Sequence, residues 1–437
     1  MDSIADGSVL VQSSCQSAPS PPPWFGEVAL MAQHVRKHGL LSSIARCVRF
    51  ARRRFGHYEV IDFVAVLFGY AISGERTLEA FYQQLHPFAT AFMALFGRTR
   101  LPARSTLSRF LAALPAEPAE ALRALFLSDL LARPLIPEHE LVGLWDRTGN
   151  RWLVFDVDGT REAARQRALP RAPELPSPVR RLQRVCAPGY TGRKRGEVIR
   201  SRTTILQAHT HQWLGSFSGA GNGKVWEELR RAVSQIQHYL TVYPFPAERV
   251  LVRLDGLYGV GVTLSDLAGL PFVMRGKEYQ LLLRTEIQFR LSLPSDQQFS
   301  RPESAFVRTL YDCPQIPVGA NGERCRVVVA THPAGSNKPR VGVERDGVVY
   351  ELFLTTLPQE AFAAADVVAL ASSIAALLKM RSPTRIVSKI PTVGAAIPPG
   401  VKNVGRSSPN GSGICGWNWA MLCTLIQYVP RNLPLPR

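Results

Sequence analysis

Two short stretches decide how this chain folds: Leu153-Val-Phe-Asp-Val-Asp-Gly-Thr160 and Val250-Leu-Val-Arg-Leu-Asp-Gly-Leu-Tyr-Gly259. Each is an apolar run of strand length, and each closes on Asp-Gly. Asp158 and Asp255 are therefore expected at the ends of two buried strands. A glycine after each acid lets backbone and ligand approach closely, although Asp-Gly is also a common way of turning the chain. Period-two alternation puts Asp156 on the face of Asp158, as a carboxylate behind it or a substitute for it.

Further strands are expected at 203–209, 213–218 and 271–275, with helices at 225–240 and near 262–267. The order is then three strands, helix, strand, helix, strand, an α/β arrangement. Residues 285–350 are β-prone and turn-rich, and Tyr350-Glu-Leu-Phe-Leu-Thr-Thr356 would return the chain to the main sheet. Five blocks follow: a core first part over 140–284, a β-rich insertion over 285–350, a return over 351–370, and upstream of these an all-helical region over 31–135 behind a Ser/Pro-rich lead, 1–30.

Charge bounds the partner. The 437 residues carry 52 Lys+Arg against 34 Asp+Glu, a net +18, which points to a polyanion and to nucleic acid first. Twelve Lys/Arg against four Asp/Glu lie between Arg36 and Arg109, densest at Arg52, Arg53 and Arg54. Arg98-Thr-Arg-Leu-Pro-Ala-Arg-Ser-Thr-Leu-Ser-Arg-Phe-Leu111 looks like the second half of a helix-turn-helix, with Arg104 and Arg109 as DNA contacts. A second basic stretch, read as a loop over 180–202, holds eight Lys/Arg, among them Arg193, Lys194 and Arg195, against Glu197 alone. No membrane partner is expected: the longest apolar candidate, 414–429, is short and interrupted by polar residues. No basic segment followed by an apolar core opens the chain, so no signal peptide is expected. Seven cysteines lie scattered without C-x-x-C spacing, as reduced cytoplasmic thiols would.

Carboxylates converging from separate strands suit a hard ion such as Mg²⁺ or Mn²⁺, and phosphodiester chemistry commonly uses two such ions. On Asp158 in Asp-Gly-Thr and Asp255 after the fourth strand, the chain resembles DDE insertion-sequence transposases of the Y-x₂-R-x₃-E signature group. The resemblance implies an RNase H-like core split by a β-rich insertion, with Asp158 and Asp255 as catalytic and metal-holding acids. It also implies that Arg275, in Phe272-Val-Met-Arg-Gly-Lys277, ends the fifth strand as a DNA contact. The implied activity is metal-dependent cleavage at the element's ends, then strand transfer into target DNA. Implied partners are terminal inverted repeats and target DNA, bound by a homodimer in a bacterial-type, nucleoid-associated cytoplasmic setting.

Phe155-Asp-Val-Asp-Gly-Thr160 also resembles the first motif of haloacid dehalogenase-like phosphatases, with Asp156 as nucleophile and Asp158 as general acid. That family's late G-D-x-x-x-D motif is missing, and the basic excess does not suit it. A DNA-binding remnant without catalysis is the other alternative.

The tail, 371–437, breaks the transposase pattern. No Asp or Glu follows Asp366, so no third acid is found. Back-translated and read one nucleotide earlier, compatible codons from about Leu370 give Ile-Leu-His-Arg-Gly-Ala-Phe-Glu, restoring R-x₃-E with its Glu straddling Leu378 and Lys379. The tail is therefore read as out of frame, and catalysis by the chain as written is expected to be impaired.

Overall fold

The computed structural model describes residues 19–48, 57–75, 77–113, 116–132, 143–163, 187–189, 197–210, 212–219, 225–259, 264–300, 306–319, 322–335 and 341–380. These residues fall into two compact units, one up to residue 132 and one from 143 to 380.

The first unit is helical: α1 (Phe25–Lys37), α2 (Leu40–Cys47), α3 (Val60–Ser73), α4 (Leu78–Leu85), α5 (Ala89–Leu95), α6 (Arg104–Ala113) and α7 (Ala116–Ala132). Its centre is α3, whose apolar run is buried on every side, as a helix hydrophobic all round must be. Phe63 stacks on Phe110 of α6 at 4.1 Å between ring centroids. A capping box at Glu59 and Asp62 starts α3, and Asp62 also takes Arg98 Nε at 2.6 Å. The segment leading into α6 is thereby tied to the N-terminus of α3.

The second unit is built on one mixed sheet. Its strands are β1 (Leu144–Trp145), β2 (Arg151–Ala163), β3 (Ala187–Gly189), β4 (Glu197–Gln207), β5 (Gln212–Gly219), β6 (Val250–Leu254), β7 (Phe272–Gly276), β8 (Gln297–Phe299), β9 (Arg308–Val318), β10 (Glu323–Pro333), β11 (Val343–Arg345) and β12 (Val348–Thr355). The helices are α8 (Val225–Val242), α9 (Thr285–Ser292) and α10 (Ala364–Met380). Strands β5, β4 and β2 are antiparallel neighbours; β6 then pairs parallel to β2, and β7 parallel to β6. Beyond β7 the sheet continues antiparallel through β12, β10, β9 and β8.

One sheet face carries α8. Its buried positions Val225, Leu229, Val233, Ile236 and Tyr239 recur at helical spacing, and Tyr239 meets Phe155 edge-on. The other face carries α10, where Val367, Val368 and Ala371 pack on Trp152, Val154, Leu251, Val273, Val328 and Phe353. Each fully buried valine there contributes about 1.5–3 kcal/mol.

Five expectations change. The Asp-Gly at 158–159 does not end its strand: β2 runs to Ala163 because Asp158, Gly159 and Thr160 keep pairing with β4. In place of an α-helix near 262–267, the described residues form a 3₁₀ turn, Ser265–Leu267, which Ala268 and Gly269 end at positive φ. The stretch 285–350 opens with α9 and then lengthens the main sheet, since β12 bridges β7 and β10. Nor does the basic stretch 180–202 form one loop: 187–189 and 197–202 are strand, while Arg193, Lys194 and Arg195 lie outside the described residues. The helix α10 also runs across Leu370 to Met380, so the boundary read at 370 falls inside it.

Candidate active site

The site is a consequence of strand alternation. On β2, Trp152, Val154, Asp156 and Asp158 share the α10 face; on β6, Leu251 and Arg253 do, and Asp255 is next in phase. The parallel register pairs Asp156 with Arg253 and Val157 with Leu254. The next position brings Asp158, within β2, beside Asp255, just past the end of β6. Both are half-buried, so their carboxylates are desolvated yet reachable.

Burial pushes the Asp158 carboxyl up, and the Thr160 hydroxyl, donating at 3.1 Å, opposes the shift. Asp255 is pushed up to about 7, first by burial and then by the negative charge of Asp158. The amide of Leu257, donating to Asp255 Oδ1 at 2.8 Å, and the charges of Lys277 and Arg161 act the other way. That amide bond also caps the 3₁₀ turn Gly256–Tyr258, and so fixes the direction in which the Asp255 side chain leaves the strand.

Asp156 is held differently. Arg253 donates from Nε to Oδ1 at 2.6 Å and from Nη2 to Oδ2 at 2.8 Å, a bidentate pair with both partners buried. Both carboxylate oxygens are thus committed, and Asp156 is 0% exposed. As placed, it offers neither a free oxygen to an ion nor a nucleophile to a phosphate ester.

Two adjacent, half-buried carboxylates of raised pKa fit a divalent cation, which would remove their mutual repulsion. Among the described residues, no three His, Cys, Asp or Glu side chains gather as a metal-binding group. Asp366 is occupied elsewhere: it accepts Arg147 Nε at 2.6 Å and the amide of Ala363 at the start of α10.

Arg275 ends β7 on the same face, opposite Phe353 of β12. Its guanidinium lies over the Phe353 ring at 5.6 Å, with Nη2 3.8 Å from Glu351. Glu351 is buried and takes Arg308 Nε at 2.8 Å. In the helical unit, Arg104 and Arg109 are exposed on the first turns of α6; Arg104 reaches Glu79 at 3.3 Å and Arg109 the carbonyl of Ser105. Arg52, Arg53 and Arg54 lie outside the described residues.

Sequence reading missed Arg253 and Tyr258. Arg253 sits two residues before Asp255, so the alternation that grouped Asp156 with Asp158 would have found it. Tyr258 lies in the quoted motif, but its hydroxyl bonds to Thr203, 55 residues away, and no local pattern reports that.

No protein-family model and no curated protein matches the chain. Among solved structures, the piggyBac transposase synaptic complex with hairpin DNA matches at 9% identity and a TM-score of 0.40, over 96% of this chain and 76% of that one. A likeness of that degree carries no weight for fold or function here. No helix among the described residues is long and apolar enough to cross a membrane.

Proposed function

We propose that the chain is a DDE-type transposase with an RNase H-like core, in which Asp158 and Asp255 hold Mg²⁺ or Mn²⁺. One observation carries this reading: the two carboxylates stand abreast on adjacent parallel strands, in the sheet order β5-β4-β2-β6-β7, with a helix on either face. The net charge of +18 supports DNA as substrate.

A bound ion would supply Lewis-acid polarisation of the phosphate and help form the attacking oxyanion. The chain's own residues set the geometry. Asp158 and Asp255 would each offer oxygens from a different strand. Arg253 keeps Asp156 out of the ligand set and locks the register of the two strands. Arg275 would meet a backbone phosphate beside the acids, while Arg104 and Arg109 would contact DNA from the helical unit. Pairing two element ends would call for a homodimer on the DNA.

Catalysis by the chain as written is expected to be weak, because two carboxylates alone hold such an ion poorly. The codon at which the neighbouring frame would supply a glutamate lies inside α10, two helical turns beyond Ala371. Haloacid dehalogenase-like phosphatase chemistry is disfavoured, since the aspartate it would use as nucleophile is locked to Arg253.

Gel shifts on the inverted repeats flanking the gene, with nicking assays in Mg²⁺ and Mn²⁺, test the reading. Binding to those repeats with little nicking is the expected result. Nicking lost in Asp158→Ala and Asp255→Ala would keep the transposase and remove the impairment. Absence of any DNA binding would remove both. Sequencing codons 360–400 and restoring one base should convert binding into cleavage if the frame has slipped.

A further inference from the structure

Behind the two acids, on the α8 face of the sheet, lies a buried polar chain that ordinary packing does not require. Glu228, in the first turn of α8, is 4% exposed and accepts the hydroxyls of Ser201 and Thr203 from β4, the latter at 2.9 Å. Thr203 Oγ1 also lies 2.7 Å from the Tyr258 hydroxyl. Thr203 has one proton, which goes to Glu228, so Tyr258 donates to Thr203. Tyr258 is fully buried, and burial raises its phenol far enough to keep it a neutral donor.

The position of Tyr258 gives this chain its consequence. It ends the 3₁₀ turn that Asp255 caps, and it reaches across to β4, which pairs with β2 at Asp158 and Gly159. A Cβ on Gly159 would come within 2.9 Å of the Tyr258 hydroxyl and 2.5 Å of Leu257 Cδ2, so the turn lies directly against the strand carrying Asp158. Asp158, Asp255 and Glu228 all act electrostatically on the phenol. The turn behind one acid is thus anchored, through the Tyr258–Thr203 hydrogen bond, to the strand beside the other, and Thr203 is itself held by Glu228.

We infer that Tyr258, Thr203 and Glu228 are positioning residues that fix the spacing of Asp158 and Asp255. The inference rests on the metal-site reading above, and it is tested both with and without metal. Binding of Mn²⁺ to the full chain, followed by the electron paramagnetic resonance of the free ion, should weaken about tenfold in Tyr258→Phe and in Thr203→Val. Thr203→Ser, which keeps the hydroxyl, should bind within about twofold of the parent. In metal-free buffer Asp255→Asn should raise Tm by about 2–4 °C by relieving the repulsion. That gain should at least halve in the Tyr258→Phe background, where the acids are free to separate.

Mn²⁺ binding unchanged in Asp255→Asn would remove the metal reading, while the metal-free pair of variants still decides the positioning. Additive Tm shifts, to within about 1 °C, with Mn²⁺ affinity unmoved in Tyr258→Phe, would overturn the positioning role and leave the metal reading intact.

Discussion

Arg253 and Asp156 are the pair on which the strand register depends. A lone charge left at such a site is far costlier than the pair is stabilising. Arg253→Ala should therefore lower unfolding free energy by about 3–5 kcal/mol, read from urea denaturation. The double change Asp156→Leu with Arg253→Met should recover most of that loss. Gly259 makes a second residue-scale prediction: a Cβ there would stand 2.0 Å from the Arg275 carbonyl oxygen, which is backbone and cannot swing aside. Gly259→Ala should cost about 1–3 kcal/mol or more and displace the end of β7, visible as faster amide exchange over 272–277. The strand positions of both acids were legible in the sequence because an apolar run led up to each. Their supports were not, because a buried ion pair and a tyrosine hydroxyl find their partners 97 and 55 residues away.

At the scale of elements, legibility followed the strength of the local pattern. The strands 250–254 and 272–276 and the helix from Val225 were read close to their bounds, since each is a clean apolar run or stripe. β2 was read short because its second half, Gly-Thr-Arg-Glu-Ala, is held by its neighbour β4 and not by its own apolar content. The start of α10 was hidden for a related reason. Arg326 of β10 gives Nε and Nη2 to Asp312 and Nη1 to the carbonyls of Leu357 and Phe362, on the approach to the helix. That buried guanidinium holds two backbone carbonyls and a carboxylate at once, so Arg326→Met should cost about 3–5 kcal/mol. Hydrogen exchange should then rise first over 357–371, ahead of β6 and β7.

Taken whole, the molecule divides its properties between two units. Basic charge is a property of composition and was legible at once, and under the proposed function it sets how DNA affinity should respond to salt. A plot of log K against log salt concentration should be linear and steep, its slope reporting the number of phosphates neutralised at about 0.9 per contact. Arg104→Ala and Arg109→Ala should each flatten it by roughly one contact if α6 lies on DNA.

The parallel seam between β2 and β6 has a further consequence, in time instead of energy. Asp156 and Arg253 meet only after a 97-residue separation has been closed, whereas the helices of the first unit are linked by short connections. Chain closure over such distances is paid before any contact rewards it, and refolding slows accordingly. After dilution from urea, helical circular dichroism should return well ahead of the fluorescence of Trp152, which stands next to the seam's first pair, Leu153 with Val250. Under the proposed function, the basic helical unit would form in that interval before the acids stand together, so the chain would take up DNA earlier than it gains a site to act on it.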